Sequence, residues 1–463
     1  MAALLSGAAT ALWATHAGAN QTLGGRMPNW WKPPSTVRAE LRQISPANLK
    51  ADDSALVGFG TRHTLSSQTD PVRGVGAAAT FITNQLQGIA ATSNGAMTVQ
   101  RQTFVQPVAA NIPVPTTITN VIATLKGTDP SSSAVYVVGG HYDDRVQDQL
   151  DFTDDAPGAD NNGSGIAAML ELARVMAAHP AQATIEFVAF DGEEQGLYGS
   201  TFFAQQAKAA GQNIQGVLDM DTIGNPRGDN GVDERHTVNV FSDGVPTNAT
   251  ASQIALLQAA GGEDDSVSRQ LARYIKETGE NSATDMDVQL IFRRDSILRA
   301  SDQVAFQGQG DPAVRFTEPN ENYNHIDRNV QVVDGVQNGD LLQFVDFNYL
   351  AGVTRVVGST LAALAGSPQT PSNAQQHVAP PPGFHGSNNV RLSWNANPES
   401  DVVGYEVVWR DTTDPLWTHA LNVGNVTSVT LPGLNPDDFQ FGVRAIDSQG
   451  HRSPVAFPAV VSS

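Results

Sequence analysis

The chain has 463 residues, of which 40% are hydrophobic and 16% are charged, and 47 acidic against 27 basic residues give a formal net charge of −20. This length exceeds one compact core and predicts two or three globular domains. The acidic balance and the lack of a basic patch argue against nucleic acid as a partner. Because cysteine is absent, disulfides and thiolate ligands are excluded, so any metal must be held by His, Asp and Glu.

The N-terminus begins with a short apolar segment that ends in the small residues Ala-Gly-Ala at 17–19. We interpret residues 1–20 as a signal peptide that lacks the usual positive charge at its start, and we expect the protein to be secreted or periplasmic. The alternative is a buried N-terminal helix. Beyond this segment no apolar run approaches the length of a membrane span, so none is expected.

Strands and helices alternate over the predicted first domain, residues 28–365. Strands are predicted from β-branched runs bounded by turn residues, and helices from apolar residues at helical spacing. Such alternation predicts an α/β domain whose mostly parallel sheet is flanked by helices on both faces, with ligand sites at the carboxyl ends of the strands. In chain order the main predictions are a helix at 74–90, a strand ending at His141, a helix at 164–178, a strand at 184–190, a helix at 197–209, strands at 214–220 and near 236–241, a helix near 266–277, a strand at 313–318 and a long helix near 337–364.

The composition changes after this domain. Residues 366–383 are rich in Pro, Ser, Gln and Ala and are interpreted as a linker. Residues 384–463 show short alternating runs between turn signals, which predicts a small all-β sandwich. With Trp394 in an early strand, this part resembles a fibronectin type III domain. The family's corner tyrosine is replaced by Phe439 here, so its hydroxyl hydrogen bond cannot form.

Four histidines of the first domain remain as site candidates once those in the terminal segment, the linker, the sandwich and a helix-ending loop are set aside: His63, His141, His236 and His325. His141 follows an apolar strand and two glycines, and His325 lies just past the strand at 313–318. A single histidine at a strand end is more often a hydrogen-bonded structural residue than a ligand.

Acidic residues follow the strands of the same domain. Asp160 precedes a helix, Glu193 and Glu194 follow the strand at 184–190, and Asp219 and Asp221 end the next strand. Alone, Asp160 fits a helix cap. Together, carboxylates gathered at one sheet edge would cost several kcal/mol without a counter-charge, which a cation supplies. Histidines and carboxylates without sulfur suit zinc or a related divalent ion.

The motifs GGHYDD, PGADNNGSG, DGEEQGLYGS, DMDTIG and YNH occur in this order. Together they resemble the co-catalytic di-zinc aminopeptidase family of the secreted bacterial leucyl-aminopeptidase type, which is related to glutamate carboxypeptidase and glutaminyl cyclase. The resemblance covers about residues 50–365. It implies the zinc exopeptidase fold, two co-catalytic Zn²⁺ ions, and peptide or protein N-termini as substrate.

The resemblance also implies roles for individual residues. Glu193 would be the general base, and Asp143 would orient His141. Asp221 is preferred to Asp219 because it directly precedes Thr-Ile-Gly. Five ligands for two ions are implied: His141 and Asp221 on one zinc, Glu194 and His325 on the other, and Asp160 bridging both.

Three alternatives to a secreted zinc aminopeptidase stay open. A carboxypeptidase relative would need a basic residue for the substrate carboxylate, and Arg293, Arg294 and Arg315 are available in the sequence. A glutaminyl cyclase-like relative would need a pocket for N-terminal glutamine. A non-catalytic binding protein would act through the fibronectin-like domain.

Overall fold

The structure, a computed structural model, describes residues 25–26, 30–297, 299–378 and 388–462. The predicted signal peptide at 1–20 lies outside the described residues. Within these ranges, none of the helices combines the length and apolar composition that crossing a bilayer requires.

The secondary-structure elements are numbered in chain order. The strands are β1 (Gly25–Arg26), β2 (Met97–Gln106), β3 (Thr116–Leu125), β4 (Ala134–His141), β5 (Thr184–Phe190), β6 (Asn213–Met220), β7 (Thr237–Phe241), β8 (Asp287–Ile291), β9 (Ala313–Thr317), β10 (Gln331–Val333), β11 (Val336–Asn338), β12 (Gln375–Val378), β13 (Asn389–Ser393), β14 (Val402–Asp411), β15 (His419–Gly424), β16 (Ser428–Pro432), β17 (Phe439–Asp447) and β18 (Ala459–Ser462). The α-helices are α1 (Ser35–Leu41), α2 (Pro46–Val57), α3 (Val75–Ala90), α4 (Gly165–Met176), α5 (Tyr198–Ala209), α6 (Ala251–Ala260), α7 (Val267–Gly279), α8 (Gln303–Gln307) and α9 (Phe347–Ala365).

An eight-stranded sheet forms the centre of the first domain, in the spatial order β2-β3-β5-β4-β6-β9-β7-β8. Its central strands β5, β4, β6 and β9 are parallel neighbours, which confirms the predicted mostly parallel α/β sheet. The antiparallel pairs are β2 with β3, β3 with β5, and β7 with β9. Strand β2 continues into β3 without a crossover helix, and antiparallel pairing is the arrangement that such a connection allows.

Helices cover both faces of this sheet. One face carries α2, α3, α4, α7 and α9, whose apolar side chains form the main core. The other face carries α5 and α8, where Phe203 and Phe306 pack against Phe190 of β5. Because both faces of the central strands are buried, these strands consist of nearly continuous apolar runs.

The long helix expected at 337–364 is shorter than predicted. It begins at Phe347, where the side chain of Asp346 accepts hydrogen bonds from the backbone N–H groups of Asn348 and Tyr349 and caps the helix. Before it, Leu342–Phe344 form a short 3-10 helix, and residues 331–338 form the hairpin of β10 and β11. Its turn, Asp334-Gly335, has positive φ angles of 49° and 81°, as an Asp-Gly hairpin turn requires.

The second domain is a sandwich of two four-stranded sheets, β1-β15-β14-β17 and β16-β13-β12-β18. The linker predicted at 366–383 is wrong for residues 375–378, which form β12. This mostly polar segment, Gln-Gln-His-Val, pairs with β13 and β18. Backbone hydrogen bonds to these later strands therefore make it part of the sheet. Phe439 keeps an apolar role, with its ring edge-on to Phe441 at 6.4 Å between centroids.

Buried charges join the two domains. Asp265 accepts hydrogen bonds from Arg273 (3.1 Å), in its own domain, and from Arg410 (2.6 Å), in the sandwich. These three side chains are 0–3% exposed. Gln270 donates to Asp265 and accepts from the indole N–H of Trp417 (3.0 Å), and Arg273 donates to the carbonyl of Pro415 (2.6 Å), so further contacts of the network cross the interface. Loss of the central carboxylate would leave two arginines facing each other without solvent.

We therefore expect Asp265→Ala to lower the free energy of unfolding by about 3–5 kcal/mol, because removing one member of a buried ion group leaves its partners uncompensated. Urea denaturation measures this change. The control is Asp264→Ala, whose side chain is 65% exposed in its pair with Arg269 and should cost less than about 1 kcal/mol. Equal losses from the two variants would contradict the assignment.

Candidate metal centre

The parallel strands bring three of the predicted site residues together at their carboxyl ends. His141 ends β4, Asp221 directly follows β6, and Glu193 lies in the loop after β5. Their potential ligand atoms all lie within 4.8 Å of one another. His141 Nε2 is 3.5 Å from Asp221 Oδ1 and 4.0 Å from Glu193 Oε2. This group contains both predicted ligands of one zinc and the predicted base.

Asp143 connects the histidine to the glutamate loop. Its backbone carbonyl lies 3.0 Å from His141 Nδ1, which fixes the ring and turns Nε2 toward the group. The carboxylate lies 3.7 Å from the same nitrogen. Its oxygens accept hydrogen bonds from the backbone N–H groups of Glu193 (3.2 Å) and Glu194 (3.1 Å). Asp143 therefore orients the ring mainly through its backbone and positions both glutamates through its side chain.

Arg315 is the buried partner of Asp221. Its guanidinium lies 3.1 Å from Asp221 Oδ2, and Asp221 Oδ1 makes no hydrogen bond within the described structure. Burial alone would raise the pKa of Asp221, but Arg315 and His141 hold it below its usual range. Burial lowers the pKa of His141, whereas Glu193 and Asp221 raise it more strongly, so the net shift is upward.

Glu194 is held in a hydrogen-bond network of its own. Arg145 donates to one carboxylate oxygen (2.6 Å) and Asn161 to the other (2.8 Å). Asp327 accepts hydrogen bonds from both donors and closes the network. Burial and then the charge of Asp327 raise the pKa of Glu194 to about 8. To coordinate a metal, the Glu194 carboxylate would have to leave Arg145. Arg145 would then keep Asp327 as its partner.

The remaining two predicted ligands, Asp160 and His325, are not members of the three-residue group. Asp160 precedes α4 and accepts a hydrogen bond from the backbone N–H of Gly224 (2.7 Å). The ring of His325 stacks on Phe344 at 3.6 Å between centroids, and its Nδ1 is buried without a hydrogen bond among the described residues. Burial lowers the pKa of His325 to about 4, so this ring is neutral, as a ligand must be.

The other two candidate histidines have structural partners. His63 Nε2 lies 3.0 Å from the carbonyl of Gln149, and His236 Nδ1 lies 3.2 Å from the carbonyl of Asp285. The sequence reasoning missed Arg145 as a site residue, although it directly follows the GGHYDD motif. It also missed Glu318, which is buried near Asp160 with its pKa raised by burial and by that carboxylate.

A divalent cation fits this donor set. Burial raises the pKa of Glu193 and Asp160, and it raises that of Asp219 to about 7. The surrounding donors and cations therefore do not fully stabilise the negative charge of the carboxylates buried at this edge. Asp221 Oδ1 and His325 Nδ1 are buried atoms whose hydrogen-bonding capacity is unused in the described structure. Nitrogen and carboxylate donors without sulfur are typical ligands of zinc.

The comparisons with known proteins identify the family. Residues 120–334 match the model of Peptidase family M28. The chain is 43% identical over 428 residues to a probable zinc metalloprotease of Pyrenophora teres f. teres, covering 92% of this chain and 87% of the relative. A protein of the same name from Pyricularia oryzae is 45% identical over 432 residues, covering 92% and 85%. This chain belongs to peptidase family M28.

A solved structure supports the fold of this M28 chain. LapA of Legionella pneumophila matches with a TM-score of 0.50 and 18% identity, over 75% of this chain and 80% of LapA, which shows a shared fold. A Porphyromonas gingivalis glutaminyl cyclase matches with a TM-score of 0.46 and 18% identity, over 69% and 98%. Residues 380–459 match the fibronectin type III domain model, which confirms the resemblance of the sandwich.

The carboxylates make the stability of the metal-free M28 chain depend on pH. Folding raises the pKa of Glu194 from 4.5 to about 8. Such a group stabilises the fold fully below its unfolded-state pKa, and this contribution is lost as the pH rises through its folded-state pKa. We expect the melting temperature of chelator-treated protein to fall between about pH 5 and 8. Zinc should flatten this dependence, because a bound ion replaces the protons. Equal slopes with and without zinc would contradict this account.

Proposed function

We propose that this M28 chain is a secreted or periplasmic zinc aminopeptidase that hydrolyses N-terminal residues from peptides or proteins. The observation that carries the proposal is the position of Glu193, whose carboxylate faces His141 and Asp221 within 4.8 Å. A carboxylate base beside metal-ligand side chains is the arrangement that metal-assisted amide hydrolysis needs. The names of the relatives support zinc as the metal. The apolar segment at 1–20 supports secretion.

Two zinc ions are proposed. His141 and Asp221 would hold the first, Glu194 and His325 the second, and Asp160 would bridge them. When bound, zinc polarises the scissile carbonyl and lowers the pKa of water. The second position requires Glu194 to exchange Arg145 for the metal, and Arg145 would then keep its ion pair with Asp327.

The side chains of the chain supply the remaining chemistry. Glu193 accepts the proton of the attacking water and passes it to the leaving amine. Burial raises its pKa, which makes a carboxylate a stronger base near neutral pH. The hydrogen bond from its backbone N–H to Asp143 holds its loop in place. Arg315 keeps Asp221 ionised and therefore ready to bind a cation.

Two observations weigh against two of the three alternatives, the carboxypeptidase and the non-catalytic binding protein. Arg315 is buried against Asp221, and Arg294 pairs with Asp295. Of the three arginines considered as binders of a substrate carboxylate, Arg293 remains. A carboxypeptidase is therefore less well supported. In the sandwich, Arg410 and Trp417 are buried against the peptidase domain. These contacts support a structural role for the fibronectin-like domain rather than an independent binding role.

Removal of the proposed base tests the mechanism. Glu193→Gln should lower kcat on leucyl p-nitroanilide by about 10²–10⁴-fold, because the proton acceptor is lost while the isosteric amide keeps the local packing. The control is Glu186→Gln, on β5 but near Thr124 rather than in the site, and it should retain activity. Cleavage of N-acetylated peptides but not of free-amine substrates would refute the aminopeptidase assignment.

The metal content tests the two-ion proposal separately. Wild-type protein dialysed against trace zinc should contain about two zinc ions per chain, and Glu194→Gln about one, because an amide is a poor zinc ligand. Elemental analysis by mass spectrometry measures this, and Glu186→Gln should again match the wild type. A wild-type content of one ion would contradict the assignment of Glu194 and His325.

A further inference from the structure

The hairpin of β10 and β11 exposes apolar side chains to solvent. Val333 and Val336 are 45% and 48% exposed, and Val332 is 66% exposed. Within the described residues, the two strands pair only with each other. Short two-stranded hairpins are marginally stable alone, and exposed apolar strand edges favour unwanted association. Stability of the fold therefore does not account for the exposure of these valines.

The two faces of the hairpin differ. Val333 pairs directly with Val336, so their side chains lie on one face, whereas Val332 pairs with Gln337 on the opposite face. Val336 lines a cleft of about 770 Å³ that also contains His325 and Phe344. Through Val336, the Val333–Val336 face therefore adjoins the cleft that His325, a proposed zinc ligand, also lines.

Hydrogen bonds fix the base of the hairpin to the loops of the site. The backbone N–H of Gly339 donates to the carbonyl of Asn324 (3.1 Å), next to His325. Just before β10, the side chain of Asn329 donates to Asp154 (3.1 Å), in the segment that leads from β4 to Asp160. The apolar tip is thus held beside the cleft rather than on an independent arm.

We infer that the Val333–Val336 face binds the part of a peptide substrate that follows the scissile bond, with a preference for apolar residues there. This inference rests on the proposed aminopeptidase function. A peptide whose N-terminal residue lies at the metal centre extends past His325 into the cleft that Val336 also lines. The valines bury apolar side chains of the peptide.

The test compares two substrates that begin with leucine. Leucyl p-nitroanilide has no residue beyond the scissile bond, whereas a leucine-headed hexapeptide with valine and phenylalanine at its next positions extends along the cleft. In Val333→Ser/Val336→Ser we expect the ratio of kcat/KM, hexapeptide over p-nitroanilide, to fall about tenfold, mainly through KM. Val332→Ser, on the opposite face of the same hairpin, should leave the ratio unchanged and controls for a loss of strand stability.

Peptide binding without turnover separates this inference from the proposed function. Glu193→Gln protein should bind the fluorescently labelled hexapeptide, and adding Val333→Ser/Val336→Ser should weaken binding about tenfold in an anisotropy titration. Binding that depends on the valines, in a protein whose wild type hydrolyses neither substrate, would refute the aminopeptidase but support the docking face. An unchanged ratio and unchanged binding would overturn the inference while p-nitroanilide hydrolysis still supported the aminopeptidase.

Discussion

The negative charge buried at the carboxyl ends of β5, β4, β6 and β9 constrains the whole peptidase domain. Parallel pairing directs these strand ends to one edge, where His141 and Asp221 are buried. Carboxylates at such an edge must be protonated, paired or bound to a cation. The raised pKa values of Glu193, Glu194 and Asp219 express this constraint.

Two arginines meet the constraint in different ways. Arg315 is fully enclosed and acts on one oxygen of Asp221, which leaves the other oxygen free for a cation. Arg145 pairs directly with the carboxylate of Glu194 and supplies the positive charge that a metal ion would otherwise provide. The proposed second zinc therefore competes with a side chain, whereas the first does not. This difference predicts unequal affinities for the two ions.

The sequence predicted the sheet and the order of the site motifs because both depend on local patterns. His141, Glu193 and Asp221 each follow an apolar strand, and parallel strands place such residues at one edge. The interaction of Glu194 with Arg145 depends on side-chain geometry that no local pattern encodes. The strand at 375–378 was missed because its polar residues join the sheet through later strands. The start of α9 was predicted too early, near 337, because β11 and the short 3-10 helix Leu342–Phe344 precede the cap at Asp346.

The network around Asp265 has a mechanical consequence for the assembled molecule. One carboxylate receives an arginine from each domain, and Trp417 adds a second contact through Gln270. A surface or polymer that held the sandwich would thereby also fix the direction in which the cleft faces. The C-terminal domain would then act as a rigid support for the peptidase domain rather than as a flexible linker.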